Sequence, residues 1–188
     1  LKRYKKIIKN LKIIKNSTTQ GYGKNYIISF KYVFKNKYTK LVFLHGDGQY
    51  PAESVKKIFQ KLDDTDLCVG TRMKKKYNKK MPIIRNIANV ILTKYLNIIF
   101  NSGFSEFFSG LRGFKISMLK KIDLNDLTKD WIIEQEVHFK FILNKFKISE
   151  ISIPTVYENQ ISRVPPLKYC FSVLKSGLIY KIRSWKKY

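Results

Sequence analysis

The sequence predicts an α/β fold in one domain that spans residues 1–188. Short apolar segments with the length of buried strands alternate with longer segments whose apolar residues recur at helical spacing. A chain of 188 residues is long enough for a single hydrophobic core. Its 44% hydrophobic content, with 13 Phe and 12 Tyr, is typical of a folded protein rather than a disordered one.

The elements follow from local patterns along the chain. Ile27, Phe30 and Phe34 have helical spacing, while the residues from Ile148 to Pro154 alternate as in a half-buried strand. The predicted strands are 11–14, 41–44, 66–70, 111–115 and 148–154. The predicted helices are 3–9, 24–35, 51–62, 82–100 and 131–144, and a basic amphipathic carboxyl-terminal helix lies within 166–188, from Pro166 to Trp185.

The charge favours anionic partners. Lys and Arg number 38 against 13 acidic residues, so the net charge is +25. The partner could be nucleic acid, a phosphorylated substrate or an acidic membrane surface. The alternative is that the basic composition reflects an AT-rich genome.

No apolar run reaches the ~20 residues that span a bilayer. Cys68 and Cys170 are predicted to be thiols of a cytoplasmic protein, and no closely spaced Cys or His pair suggests structural zinc.

The turn after the strand at 41–44 is the strongest candidate for a site. Ligands of open α/β sheets bind just beyond the carboxyl ends of strands. Asp47 and Gln49 offer the hard oxygen atoms that Mg²⁺ or Mn²⁺ prefers. The alternative is an ordinary helix-entry turn, in which polar side chains cap exposed N–H groups.

The stretch from Leu41 to Glu53 resembles the metal-binding Asp-x-Asp-x-Gln segment of family 2 glycosyltransferases, especially the polyprenyl (dolichol) phosphate mannose synthase type. His45 stands where that family has its first Asp. The resemblance implies a glycosyltransferase-A type fold, a mixed sheet flanked by helices. It also implies a divalent ion, Mg or Mn, with Asp47, Gln49 and His45 as candidate ligands.

Other segments match the family in the same order. Gly21, Tyr22 and Gly23 resemble its Gly-rich loop near the donor nucleotide, so they join Asp47 as candidate donor-binding residues. The segments Gly70–Met73 and Pro82–Asn89 resemble those that meet the lipid phosphate. The resemblance therefore implies phosphate binding by Arg72, Arg85, Asn89 and, in a segment similar to Ser-Lys-Val, Arg163. Gln160 replaces a nearby Arg that is common in relatives.

The stretch from Ser105 to Phe114 resembles the pattern Asp-x-x-Ser-Gly-Phe-Arg-x-Phe, with Glu106 for Asp and Leu111 for Phe. The resemblance makes Glu106 the candidate catalytic residue, although a phosphate acceptor is already ionised and needs no base. Glu134 and Glu136 lie two apart, so we expect them on different faces of a helix rather than as an acid–base pair. His138 is predicted to be structural.

Relatives begin with further strands that hold the nucleotide base and ribose, and this sequence has no counterpart of them. We therefore expect an amino-terminally truncated fold, the carboxyl-terminal portion of a longer or interrupted gene. Its two lost strands would lie between the strands at 11–14 and 41–44.

The resemblance implies inverting, metal-assisted transfer of a sugar from a nucleotide diphosphate to an acceptor, with polyprenyl phosphate favoured over another glycan acceptor. The expected location is the cytoplasm, peripheral on the anionic inner face of the membrane, with no nucleic-acid partner. One alternative is an inactive remnant that binds phosphates or membrane without turnover. A basic nucleic-acid-binding module is the other, and it predicts binding with steep salt dependence.

Overall fold

The computed structural model describes residues 2–73, 81–157 and 164–185. The helices are α1 (Lys2–Ile7), α2 (Tyr22–Lys35), α3 (Glu53–Lys61), α4 (Ile83–Phe100), α5 (Ile116–Leu119), α6 (Ile133–Leu143) and α7 (Pro166–Trp185). The strands are β1 (Lys40–Phe43), β2 (Leu67–Thr71), β3 (Arg112–Lys115) and β4 (Ile148–Ser152).

These four strands form one mixed sheet in the order β1-β3-β2-β4. Strand β3 is antiparallel to both β1 and β2, whereas β4 is parallel to β2. Strand β2 is one of the two inner strands, and its residues Leu67, Cys68 and Val69 are completely buried. Such a continuous apolar strand requires cover on both faces.

Alternate residues of β2 face two different cores. Leu67 and Val69 pack with Tyr26 and Phe30 of α2 and with residues of α6, whereas Cys68 packs with Ile58 of α3. A third core lies among the helices, where Leu96 and Phe100 of α4, Phe139 of α6, and Val173 and Tyr180 of α7 come together. The sheet is therefore flanked by helices, as predicted.

Most predicted elements are present within one or two residues of their expected bounds. The predicted strand at 11–14 is wrong, because those residues are irregular and pair with no described strand. The short helix α5 was missed. It is a single turn directly after β3, too short for an apolar period to reveal.

Candidate active site

The candidate site lies at the edge of the sheet where β1 and β2 end. Because β3 runs antiparallel to both strands, its amino end lies at the same edge. The turn 45–50 follows β1, Arg72 follows β2, and the segment 105–111 leads into β3. Beyond β4, the backbone N–H of Val156 donates a 3.0 Å hydrogen bond to the carbonyl oxygen of Gln49. Four segments that are distant in sequence thus meet at one place.

The His45 side chain points into the protein. Its Nε2 lies 3.0 Å from the hydroxyl of Tyr22 and 3.4 Å from Oε1 of Glu134. The imidazole ring covers Gly110, where a Cβ atom would overlap it. Tyr22 donates its one hydroxyl proton to Glu134, at 2.7 Å, so we assign a proton to His45 Nε2, which donates to Tyr22.

Glu134 is a buried carboxylate held by hydroxyl donors and by positive charge. Tyr26 also donates a hydrogen bond to its Oε1. Burial would raise the pKa of Glu134, but Arg112 and His45 outweigh burial and lower that pKa to about 2. Burial by itself would lower the pKa of His45. The hydrogen bond and the negative charge of Glu134 outweigh burial, so the His45 pKa lies above its ordinary value. The pair is therefore a carboxylate and a basic imidazole.

Arg112 fixes the backbone around this network. The residue is completely buried. Its guanidinium donates hydrogen bonds to the carbonyl oxygens of Ser109 at 2.8 Å, Phe107 at 2.6 Å and Glu134 at 2.8 Å. Arg112 therefore joins the segment before β3 to the start of α6, and its charge contributes to the low pKa of Glu134.

The turn after β1 is held by its own acid. Asp47 Oδ1 accepts a 3.0 Å hydrogen bond from the backbone N–H of Gln49. Gly48 has a φ of 74°, a conformation that glycine adopts without strain. Asp47 is exposed, whereas Gln49 is buried. The turn thus directs Asp47 towards solvent and Gln49 towards the interior.

Arg72 and Glu106 form a buried ion pair beside this turn. Arg72 Nε donates to Glu106 Oε1 at 2.8 Å, and its Nη2 also contacts Oε1. The backbone N–H of Arg72 donates to Oε2 at 2.8 Å, so both carboxylate oxygens are engaged. Burial would lower the pKa of Arg72, but Glu106 outweighs burial and raises it. Tyr50 and Tyr157 are close enough to interact electrostatically with this pair.

Glu150 of β4 supports the same segment from outside. Its carboxylate accepts hydrogen bonds from the backbone N–H groups of Ser105, at 2.9 Å, and Glu106, at 3.1 Å. The hydroxyl of Ser105 donates to Glu150 at 3.0 Å. Burial raises the pKa of Glu150, and these donors partly offset that rise. The backbone that carries Glu106 is therefore anchored at both ends, by Glu150 and by Arg112.

The other predicted site residues have different surroundings. Gly21, with a φ of 78°, precedes the first turn of α2. A side chain at Gly23 would collide with the backbone of Lys129 and Asp130, so the glycine permits close packing there. Arg85 is half-buried on α4. Asn89 is buried, and its amide nitrogen lies 3.8 Å from the sulfur of Met81. Arg163 and Gln160 lie outside the described residues.

Sequence reasoning missed the part that Glu134 takes in this site. The acidic pair at 134 and 136 was noticed, and the two carboxylates do separate: Glu136 accepts hydrogen bonds from Thr128 at 2.7 and 2.9 Å. Every residue of α6 from Ile133 to Phe141 is buried, so this helix has no exposed side that a polar pattern could mark. The sequence therefore did not indicate which side of the helix faces the site. The acidic residue in the first turn of α6 was the signal that the sequence offered.

The donor set tests the predicted metal ion. No cluster of three or more His, Cys, Asp or Glu residues in the described ranges is arranged to hold a metal. Nε2 of His45 is engaged with Tyr22 and Glu134, and Gln49 is buried. Asp47 remains as an exposed carboxylate. One carboxylate together with substrate phosphates suits Mg²⁺, which commonly binds in this way. A metal ion held jointly by Asp47 and a bound diphosphate therefore fits the site.

A mixed sheet with helices on both faces and a polar site at this edge has the glycosyltransferase-A architecture that the resemblance implied. The chain belongs to glycosyl transferase family 2, because the sequence model of that family matches residues 1–123. The predicted family and fold class are thereby confirmed.

Two curated relatives illustrate the family. UDP-N-acetylglucosamine–dolichyl-phosphate N-acetylglucosaminyltransferase of Methanococcus voltae is 27% identical over 173 residues, which cover 90% of this chain and 69% of that protein. Polyprenol monophosphomannose synthase of Mycolicibacterium smegmatis is 22% identical, over 75% of this chain and 54% of that protein.

The fold is also similar to glucosyl-3-phosphoglycerate synthase of Mycobacterium tuberculosis, solved with Mn²⁺, UDP-glucose and phosphoglyceric acid. The TM-score is 0.59 at 10% identity, and the match covers 94% of this chain and 59% of that one. A phosphoglyceric acid complex of the same synthase gives a TM-score of 0.60 at 11% identity. The chain spans about three fifths of the length of that synthase.

Proposed function

We propose that this chain carries the transfer site of a glycosyltransferase that moves a hexose, with inversion, from a nucleotide diphosphate to a polyprenyl phosphate. One observation carries the proposal. The exposed Asp47 turn and the buried Arg72–Glu106 pair meet at the carboxyl edge of the sheet. Membership of family 2 supports sugar transfer, and the lipid-phosphate acceptors in the relatives' names support the acceptor.

The donor side of the proposed site consists of Asp47 and the start of α2, at Gly21, Tyr22 and Gly23. A divalent ion, Mg²⁺ or Mn²⁺, would be held by Asp47 and the donor diphosphate. Such an ion stabilises the negative charge that develops on a departing diphosphate. In this proposal His45 is a positioning residue, because its hydrogen-bonding nitrogen is engaged with Tyr22 and Glu134. The His45 ring then fixes the turn relative to α2 and α6.

The acceptor side depends on positive charge. Arg72 and Arg85 would meet the acceptor phosphate, with Asn89 and Arg163 as further candidates. A phosphate oxygen is already ionised at neutral pH, so it attacks the sugar without a general base. Both oxygens of Glu106 accept hydrogen bonds from Arg72. Glu106 is therefore proposed to orient the Arg72 guanidinium rather than to remove a proton.

A second candidate function is binding without turnover. The observation that favours it is the engagement of His45 by Glu134 and Tyr22, which leaves a single exposed acid in the turn. Such a remnant would still bind phosphates through its arginines. The two functions differ in whether the bound sugar is transferred to an acceptor.

Calorimetric titration with UDP- and GDP-sugars, with and without Mn²⁺, tests the proposal. We expect Mn²⁺-dependent binding of one donor that is lost in Asp47→Asn. Asp64→Asn is the matched control, because Asp64 is an exposed acid beyond α3 and outside the site. Transfer of labelled sugar to polyprenyl phosphate then separates turnover from binding. Donor binding that needs no Mn²⁺ and is unchanged in Asp47→Asn would overturn the donor-site assignment.

A further inference from the structure

Helix α4 is apolar on two opposite faces. Its residues Leu92, Leu96 and Phe100 are buried in the protein core. A second set of apolar residues is exposed: Ile83 77%, Ile84 84%, Ile87 54%, Val90 37%, Ile91 61% and Ile98 82%. At about 100° per residue, this set falls within an arc of about 120° on the side opposite the buried residues, and the exposed Lys94 is the one charged residue within that arc. We call it the α4 stripe.

Helix α7 has a similar exposed set, which we call the α7 stripe. It consists of Leu167 87%, Phe171 68%, Leu178 48%, Ile182 40% and Trp185 66%. These residues fall within an arc of about 60°. Lys168 and Lys175 border that arc on one side and Lys181 on the other, and Lys181 Nζ lies 5.9 Å from the ring centroid of Trp185. The opposite side of α7, at Val173 and Tyr180, packs in the core.

The two stripes adjoin because α4 packs against α7. Tyr95, at the border of the α4 stripe, donates a 3.1 Å hydrogen bond to the carbonyl oxygen of Leu174, at the border of the α7 stripe. Gly177 allows this contact, since a Cβ there would lie 2.8 Å from Leu96. The stripes therefore form one apolar surface, larger than the scattered apolar side chains that soluble surfaces usually expose.

The charge on these helices is of one sign. Neither α4 nor α7 contains Asp or Glu, whereas each carries Lys and Arg. An apolar stripe bordered by lysines suits the interface of an anionic bilayer, where apolar side chains enter the acyl boundary and ammonium groups reach lipid phosphates.

Helix α4 is 18 residues long and apolar enough, by length and composition only, to cross a membrane. However, Leu96 and Phe100 of α4 pack in one core with Phe139 of α6 and Val173 of α7. A helix that spanned a bilayer would have to leave that core. A position along the membrane surface keeps the core intact and buries the stripe as well.

We infer that the α4 and α7 stripes together form the surface by which this protein lies on an anionic lipid bilayer. The inference rests on the proposed function in one respect, since it explains how a membrane-embedded lipid phosphate is reached. Arg85, in the first turn of α4, falls on the opposite side of the helix from the stripe and interacts electrostatically with Tyr157, itself close to Arg72. A bilayer under the stripe would therefore lie within about one helix diameter, ~10 Å, of the proposed acceptor site.

Sedimentation with lipid vesicles tests this surface. We expect binding to vesicles of equal parts phosphatidylglycerol and phosphatidylcholine, and much weaker binding to phosphatidylcholine alone. Ile84→Gln with Ile91→Gln should weaken binding by roughly tenfold or more. The control pair Ile14→Gln with Phe59→Gln, exposed apolar residues outside both stripes, should leave it unchanged. Lys168→Gln with Lys175→Gln should reduce the preference for phosphatidylglycerol by roughly tenfold.

A second variant and a second measurement keep the outcomes separate. Leu167→Gln with Phe171→Gln should weaken vesicle binding as the α4 pair does, since both stripes take part. Donor binding by calorimetry should be the same in all these variants, so a failed donor site and a failed membrane surface give different results. Vesicle binding unaffected by both stripe pairs would overturn the inference. So would a dimer in analytical ultracentrifugation that the α4 pair converts to monomer.

Discussion

Glu134 at the start of α6 lies 3.4 Å from His45, the first residue of the turn 45–50 that follows β1. The hydroxyl of Tyr22 contacts both side chains. Arg112 donates a hydrogen bond to the carbonyl oxygen of Glu134, and its positive charge lowers the pKa of the Glu134 carboxylate. An imidazole at this position thus has a buried carboxylate as its partner. A carboxylate at position 45 would instead face another carboxylate, which is unfavourable in a buried site.

The first prediction concerns the charge at position 45. His45→Asp should lower the free energy of unfolding on the order of 3 kcal/mol, because it adds a second carboxylate beside Glu134. The measurement is urea denaturation in the presence of a metal chelator. Adding Glu134→Gln to His45→Asp should recover most of that loss, whereas His45→Asn alone should cost less. Equal stability of His45→Asp and His45→Asn would contradict this account.

The second prediction concerns the Arg72–Glu106 pair. Glu106→Gln leaves the buried Arg72 without its carboxylate, so we expect a loss of about 3–5 kcal/mol in the free energy of unfolding. Glu53→Gln, on the exposed first turn of α3, should change it by less than about 0.5 kcal/mol. If Glu106 orients Arg72, the residual transfer activity of Glu106→Gln should keep the shape of its pH profile. Loss of the acidic limb alone would indicate a proton-accepting role instead.

The third prediction concerns space at Gly110. Gly110→Ala should destabilise the fold by about 1–3 kcal/mol and weaken donor binding, because the new methyl group must displace the His45 ring. Gly103→Ala is the matched control, since nothing lies within 4 Å of a Cβ at that position. Chemical denaturation measures the first effect and calorimetry the second. A stable Gly110→Ala variant with normal donor binding would show that the His45 position is not important.

The fourth prediction concerns pH and His138. This completely buried imidazole lies between Phe104 and Phe107, with centroid separations of 4.9 and 4.7 Å. Neither ring nitrogen has a hydrogen-bond partner among the described residues. Burial and, second, the charge of Arg112 lower its pKa well below the ordinary value.

As the pH falls below about 6.5, the unfolded chain takes up a proton at this residue and the folded protein does not. Stability should therefore fall by about 1.4 kcal/mol per pH unit, until the pH reaches the lowered pKa of the folded state. His138→Phe should remove this contribution, whereas His45→Asn should retain it. Denaturant midpoints measured from pH 7 to pH 5 check the difference, and parallel declines in the native chain and His138→Phe would refute it.

The placement of the elements was largely predictable because it depends on neighbours in sequence. The spacing of Ile27, Phe30 and Phe34 marks one face of α2 whatever lies against it. The prediction of a strand at 11–14 failed for the opposite reason. A strand needs a pairing partner, and the local apolar pattern does not show whether one is present. Helix α6 gave little information about its orientation, since it is buried on all sides and has no polar face.

By itself, the sequence determined the alternation of helices and strands, the turn that carries Asp47, the excess of basic residues and the resemblance to family 2. Only the tertiary structure decided that His45 faces Glu134, that Glu106 holds Arg72, and that α4 has an apolar face left uncovered. The physical reason is the distance along the chain over which the determining interactions act. Periodicity and turn chemistry act over a few residues, whereas the partner of a buried charge or of an apolar stripe depends on packing between distant segments.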